Sequence, residues 1–382
     1  MDVSERIRVL IVDDSAVMRK IIASALQKEP SLEIVGFAAN GLQAIEMVES
    51  LRPDVVTLDI EMPEMDGLTA LREIRKKEKY LPVIMFSSLT QEGAQAAVSA
   101  LTAGASDYVG KPTASSSGVN QAFQILETEL IPKILGLARR VQRRRQKGFA
   151  ATTQTGSTAV SETEIAVPPK GVPTADGALT ANRVKQVVPS GIVSAVCIGV
   201  STGGPMALMQ LFTALQQPLA VPIFIVQHMP PLFTALLAER LNGACRMAVH
   251  EARQGEAVEA GVVYIAPGGF HMTPTRRGLK TTIEINDQPP ENSCRPSVDV
   301  LFRAVAGLYG PETLAVVLTG MGSDGLKGSQ VIHQLGGKII AQDEASSVIW
   351  GMPGAVVGSG IADAVLSIDQ IADELSFRCR KL

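Results

Sequence analysis

Aromatic residues make up only 4% of the 382 positions, with a single Trp. With 46% hydrophobic residues, the core must be built from Val, Ile, Leu and Ala, which suits α/β domains. The four cysteines, Cys197, Cys245, Cys294 and Cys379, form no CxxC pair. Neither a zinc site nor a disulfide framework is suggested, and a reducing compartment fits best. No apolar run approaches the ~18 residues of a membrane span. The start, MDVSERIRVLIVDD, lacks the basic region and long apolar stretch of a signal peptide. A cytoplasmic location and no membrane insertion are therefore expected. The net charge of −3 gives no overall excess that would argue for nucleic acid.

The chain is long enough for two or three domains. Up to about residue 110, short apolar runs alternate with amphipathic stretches. Arg8–Val12, Leu32–Phe37, Val55–Leu58, Val83–Phe86 and Asp107–Val109 are expected strands, with helices such as Ala16–Gln27, Gly41–Ser50 and Leu68–Lys76 between them. This spacing implies a parallel sheet with helices on both faces. A helix that turns strongly basic at Arg139, Arg140 and Arg143–Arg145 follows, read as a solvated helix end. Residues 148 to about 190, rich in Thr, Ala, Gly and Pro, read as a flexible linker. A second α/β pattern starts at Ile192, with strands expected at Val193–Gly199, Ile223–Val226, Val262–Ile265, Leu314–Leu318 and Lys338–Ala341. Helices are expected after Gly204, Pro231, Ser297 and Gly325. The expected fold class is α/β: two doubly wound parallel-sheet domains, flavodoxin-like and then Rossmann-like, joined by a linker. The divisions are 1–125, 126–190 and 191–382.

In such sheets the active site lies at the carboxyl ends of the strands. Asp13 and Asp14 follow the first strand and Asp59 the third, so three carboxylates converge. An oxygen-seeking cation relieves their repulsion, and Mg²⁺ suits few carboxylates plus a phosphate. A carboxylate beside it could accept a phosphoryl group. Ser87 and Ser88 close the fourth strand and Lys111-Pro112 follows the fifth, offering a hydroxyl and an ammonium to phosphoryl oxygens. One acid at a strand end is ordinarily a solvated loop residue; an ordered set on four strand ends is not.

This set resembles the receiver domain of response regulators, over about residues 7–125. It rests on VDDS, Asp59 in TLDIEMPEMDG, Ser87 in FSS and Lys111 in the KP pair. The resemblance implies that Asp59 accepts phosphate from a histidine kinase. Asp13, Asp14, Asp59 and the Glu61 carbonyl would bind Mg²⁺, while Ser87 and Tyr108 would reorganise on phosphorylation.

In the second half, CIGVSTGGP carries Ser201 from a strand into a Gly-Gly-Pro turn before a helix. That is the logic of a nucleophile elbow, though GxSxG is absent. The GK[ST] ending of a P-loop is also absent, which weakens a nucleotide reading. His228, in IVQHMPP, and Asp324, in VVLTGMGSDG, follow two other strands. A serine needs a base, and imidazole needs a carboxylate to hold its tautomer. His250 and His271 sit in less regular surroundings, and His333 lies in a helical pattern.

This half, over about residues 192–375, resembles the catalytic domain of chemotaxis protein-glutamate methylesterases. GVSTGGP, QHMP, VYIAPGGFHM, RPSVDVLF, LTGMGSDG and AQDEASSVIWGMP carry the likeness. It implies Ser201 as nucleophile, His228 as base and Asp324 as orienting acid. Thr202 and the Met321 N–H would lie in stretches shaping an oxyanion site, and Arg295 at a substrate-side basic position. Cys294 stands where this family often has His. The resemblance implies demethylation of chemoreceptor glutamyl esters and deamidation of glutamines, with Mg²⁺ for phosphorylation and no cofactor for hydrolysis. The alternatives are a related esterase of a pathway other than motility, or a receiver with a DNA-binding output. A covering of the hydrolase site by the unphosphorylated receiver is also expected, because both domains present functional loops at sheet edges.

Overall fold

Aliphatic runs become buried strands, and small polar residues at their ends become helix caps. The computed structural model describes residues 6–88, 90–111, 123–138 and 192–380. The first sheet contains β1 Ile7–Val12, β2 Leu32–Ala38, β3 Val55–Asp59, β4 Val83–Ser87 and β5 Asp107–Gly110. Its order is β2-β1-β3-β4-β5 and every pair is parallel. β3 and β4 are buried throughout, as helices on both faces require. Helices α1 Ala16–Leu26, α2 Gly41–Leu51, α3 Gly67–Lys77 and α4 Gln91–Thr102 connect the strands. Ser15, Asn40, Asp66 and Thr90 cap them, each side chain accepting a backbone N–H three residues on.

Residues 123–138 form α5, interrupted by a π turn at Leu126–Leu130. Leu126, Leu130, Ile134 and Leu137 recur at helical spacing and are buried with Ile22 and Leu26 of α1. The basic run from Arg139 and the expected linker lie outside the described residues.

The second sheet has seven parallel strands: β6 Ala195–Val200, β7 Ile223–Gln227, β8 Ala248–Glu251, β9 Val262–Ile265, β12 Thr313–Val317, β13 Lys338–Gln342 and β14 Ala364–Leu366. Its order is β14-β13-β12-β6-β7-β9-β8. A separate antiparallel hairpin joins β10 His271–Arg277 to β11 Lys280–Asn286. The helices are α6 Gly204–Ala214, α7 Phe233–Asn242, α8 Val298–Tyr309, α9 Leu326–Gln334, α10 Met352–Gly358 and α11 Ile368–Arg378. β6 lies between β12 and β7, so the loops after these three strands meet at one edge.

The two units pack together. α4 of the first lies against α6 and α7 of the second. Ala94, Ala97, Val98 and Leu101 share an apolar cluster with Leu208, Phe233 and Leu237. On the far side Gly136 of α5 meets the Met321 methyl group, so a side chain larger than hydrogen would collide there. No helix among the described residues is long and apolar enough to cross a membrane.

Candidate active site

Ser201 follows β6, His228 follows β7 and Asp324 follows β12. Gly203, with φ of 78°, lets the chain turn from β6 into α6 against Val348, a conformation that a side chain would strain. The Ser201 N–H bonds the Thr319 carbonyl at 3.0 Å, and the Gly204 N–H bonds the Ser201 carbonyl at 2.8 Å. Gln227, buried at the end of β7, donates from Nε2 to the carbonyls of Ser201 and His228 at 3.0 and 3.3 Å. It ties the two candidate catalytic segments together.

Asp324 is 3% exposed and saturated with donors. Oδ2 accepts from His228 Nε2 at 2.8 Å and from the Val298 N–H at 2.7 Å. Oδ1 accepts from Ser297 Oγ, Asn292 Nδ2 and the N–H groups of Asp299 and Gly325. Burial would raise its pKa, but the His228 bond and the N–H groups at the start of α8 hold it well below the carboxylate range. Burial would likewise lower the His228 pKa. The Asp324 bond, and then the neighbouring Cys294, outweigh it and raise the value to about 9. Since Nε2 faces Asp324, only Nδ1 can serve a substrate or nucleophile. Cys294 Sγ lies 3.7 Å from Nδ1, and Ser201 makes no hydrogen bond to the ring.

Thr202 is buried, and no acceptor among the described residues lies on the Met321 N–H. Met321 also borders the cavity between the two units. Arg295 lines the same cavity but gives Nη1 to the carbonyls of Asp287 and Gln288. His271 is fully engaged, Nδ1 accepting from the Ser297 N–H and Nε2 facing the Pro289 carbonyl. His250 pairs with Glu256, His333 is exposed and Met352 is core.

The first-half set also converges. Asp13, Asp14 and Asp59 offer oxygens within 4.8 Å of one another. Asp13 and Asp59 are buried, whereas Asp14 is exposed. Lys111 Nζ lies 2.6 Å from Asp59 Oδ2 and 3.7 Å from Asp13 Oδ2. Burial, then the Asp13 charge, raise the Asp59 pKa to about 6 against the opposing pull of Lys111. Asp13 Oδ2 has no hydrogen-bond partner. Buried, crowded, under-partnered oxygens fit a small hard cation. The Glu61 N–H reaches Asp59 Oδ1 at 3.3 Å, placing that main chain beside the pocket. Ser87 Oγ is turned away, donating to the Gly93 carbonyl at 2.6 Å.

Models of known families match both halves: the response regulator receiver domain over residues 9–122, and CheB methylesterase over 196–375. The protein-glutamate methylesterase/protein-glutamine glutaminase of Trichodesmium erythraeum is 44% identical over 370 residues, covering 97% of this chain and 98% of that one. The chain belongs to the CheB methylesterase family. A relative of the same description from Nocardioides sp. is 44% identical over 369 residues, covering 97% of this chain and 94% of that one. The solved CheB methylesterase catalytic domain of Thermotoga maritima is 42% identical, covering 48% of this chain and 97% of that one with a TM-score of 0.47.

In this CheB-family chain the receiver lies over the candidate site. One cavity of about 820 Å³ is bounded by Asp107, Tyr108 and Lys111 on one side and by Ser201, His228 and Arg295 on the other. Thr202 Oγ1 donates to Asp107 Oδ2 at 2.6 Å, a buried bond between the two units. The Tyr108 ring stacks on Phe233 with centroids 4.7 Å apart. Lys133 of α5 backs this contact, reaching Asp107 Oδ1 at 3.2 Å and the Tyr108 carbonyl at 2.6 Å. Asp107, Phe233, Lys133, Gln227 and Asn292 were not sequence candidates. The QH pair could have flagged Gln227; the others join elements remote in sequence and carry no local signal.

Proposed function

We propose that the chain hydrolyses glutamate γ-methyl esters on chemoreceptors, releasing methanol, and deamidates receptor glutamines, under control of phosphorylation at Asp59. The observation that carries the chemistry is the His228–Asp324 bond at 2.8 Å, on strand ends flanking that of Ser201. The names of the relatives supply the ester and the amide.

In the reaction, His228 Nδ1 takes the Ser201 proton as Oγ attacks the ester carbonyl. The Met321 N–H, with the Thr202 region, meets the oxyanion. The tetrahedral species collapses to an acyl-serine, and His228 returns the proton to the departing methoxide. Water then attacks with His228 as base, freeing the glutamate carboxylate and restoring Ser201. A glutamine gives the same acyl-serine and releases ammonia. Hydrolysis is assigned to these side chains without a cofactor.

Asp59 is the acceptor, a histidine kinase the donor, and Asp13, Asp14, Asp59 and the Glu61 carbonyl the ligands of Mg²⁺. Bound there, Mg²⁺ would offset the charge between the carboxylate and the incoming phosphate. The phosphoryl group draws Lys111 and Ser87 toward it and moves Tyr108 off Phe233, opening the cover. One contact marks the covered form: the Thr202 hydroxyl is held by Asp107.

The test is incubation with receptor membranes carrying labelled methyl esters, counting volatile methanol. Release that increases when a phosphodonor is added supports the proposal. Esterase activity on small esters with none on receptors would point to a different pathway. No ester hydrolysis of any kind would overturn the chemistry.

A further inference from the structure

The cysteine beside the candidate base has a geometry that hydrolysis does not use. Cys294 Sγ lies 3.7 Å from His228 Nδ1. Two such donors bound to one tetrahedral Zn²⁺, at about 2.3 Å from sulfur and 2.0–2.1 Å from nitrogen, would be about 3.6 Å apart. The pair is therefore already at the separation of a zinc edge.

His228 Nε2 is hydrogen-bonded to the Asp324 carboxylate at 2.8 Å. Zinc-binding histidines are typically held in this way, because the carboxylate fixes the tautomer and makes the free nitrogen a better donor. The arrangement that prepares Nδ1 to accept a proton also prepares it to accept a soft cation. Asp324 itself stays behind the ring, its oxygens occupied by six donors.

The thiol is also fixed in place. The turn from Glu291 to Cys294 is closed by reciprocal backbone hydrogen bonds of 3.1 and 2.9 Å. Glu291 is anchored to Arg303, and Asn292 to Asp299 and Asp324. A donor pair held by its own loop loses little freedom on binding metal. Ser201 lines the same cavity, which leaves its hydroxyl or water to complete the coordination.

We propose that Cys294 and His228 Nδ1 form an inhibitory site for a thiophilic divalent cation, with Zn²⁺ the physiological candidate. Binding releases the thiol proton and any proton on Nδ1, and forms one metal–sulfur and one metal–nitrogen bond. The occupied imidazole then has no lone pair for the Ser201 proton. The all-oxygen pocket around Asp59 prefers hard ions, so excess Mg²⁺ separates the two sites.

The inhibitory consequence rests on His228 being the base, whereas metal binding does not, and the experiment separates them. Zinc is titrated into the full chain, phosphorylated with a small-molecule phosphodonor in excess Mg²⁺, for the natural sequence, Cys294→Ala and Cys294→Ser. Methanol release is normalised to each protein's own zinc-free rate. In parallel, Co²⁺ is added to the unphosphorylated chain and the thiolate-to-cobalt absorption band is recorded, with Cys245→Ala as control. The natural chain should be inhibited reversibly by zinc and restored by chelator, and both Cys294 variants should need roughly tenfold more zinc or greater. The cobalt band should vanish in both Cys294 variants and persist in Cys245→Ala. A band that survives loss of Cys294 overturns the site. Superimposed zinc curves overturn the inhibition, even if the cobalt band behaves as expected.

Discussion

Asp107→Ala should activate the unphosphorylated chain. The Asp107 carboxylate accepts the Thr202 hydroxyl at 2.6 Å across the interface, in a spot where Asp107 is 6% exposed and Thr202 also 6%. A hydrogen bond to a charged group contributes about 1.5–3 kcal/mol net. Each ~1.4 kcal/mol is tenfold in a ratio, so the closed-to-open ratio should fall roughly ten- to hundredfold. While the closed form dominates, methanol release rises in proportion, up to the rate of the phosphorylated chain. Lys133 keeps the Tyr108 carbonyl as a partner, so the variant is not left with an isolated ammonium. Asp107→Asn retains an acceptor of the same reach and should show a smaller increase. The assay is methanol release from receptor membranes, with and without phosphodonor, at equal protein concentration. An unphosphorylated rate that stays at the starting level in a folded, phosphorylatable variant would refute this latch. A rate that falls in both states would mean that Asp107 assists hydrolysis instead.

Tyr108→Ala, which removes the ring stacked on Phe233, should also increase the unphosphorylated rate, by roughly twofold to tenfold for a pair worth about 0.5–1.5 kcal/mol; an unchanged rate would place the switch elsewhere. EDTA should abolish phosphorylation of Asp59 and leave ester hydrolysis by the unphosphorylated chain unaffected, measured by phosphate incorporation and methanol release. A pH series of denaturant midpoints should report the His228–Asp324 pair. The His228 pKa is raised from 6.5 to about 9, so its contribution is complete below 6.5 and lost as pH rises through 9. Asp324 has the opposite sign: its contribution is present above its ordinary 3.8 and lost on further acidification. His228→Gln should flatten the alkaline limb, and an unchanged slope would contradict the pairing.

The sheets were legible because parallel central strands are buried on both faces and write themselves as Val–Ile–Leu runs. Expected Val55–Leu58 and Val262–Ile265 differ from the observed strands by one residue or none. Elements without that signature were not expected. β8 is a short edge strand, half-exposed, and β14 has three residues. The β10–β11 hairpin mixes Thr, Arg, Lys and Glu with its apolar residues and belongs to neither parallel sheet. The Asp residues, Ser201, His228 and Lys111 could be placed because strand ends point to one edge. Which nitrogen of His228 faces Asp324 had no sequence signal, nor did the donors that hold Asp324. Ser87 was expected to meet phosphate, and here its hydroxyl bonds Gly93; the neighbouring turn offers an acceptor at 2.6 Å. The cover itself was expected from functional loops at both sheet edges and a long linker between them, but its contacts, Asp107 with Thr202 and Tyr108 with Phe233, exist only once two sheets are folded and docked.

In the proposed mechanism one serine performs the chemistry while the receiver remains a separate phosphate acceptor. Ser201→Ala tests it directly. Methanol release from methyl-labelled receptors, with phosphodonor present, should fall by about three orders of magnitude or more. Phosphate incorporation at Asp59 by the same protein should equal that of the natural chain. Near-normal methanol release by a correctly folded Ser201→Ala chain would contradict the account.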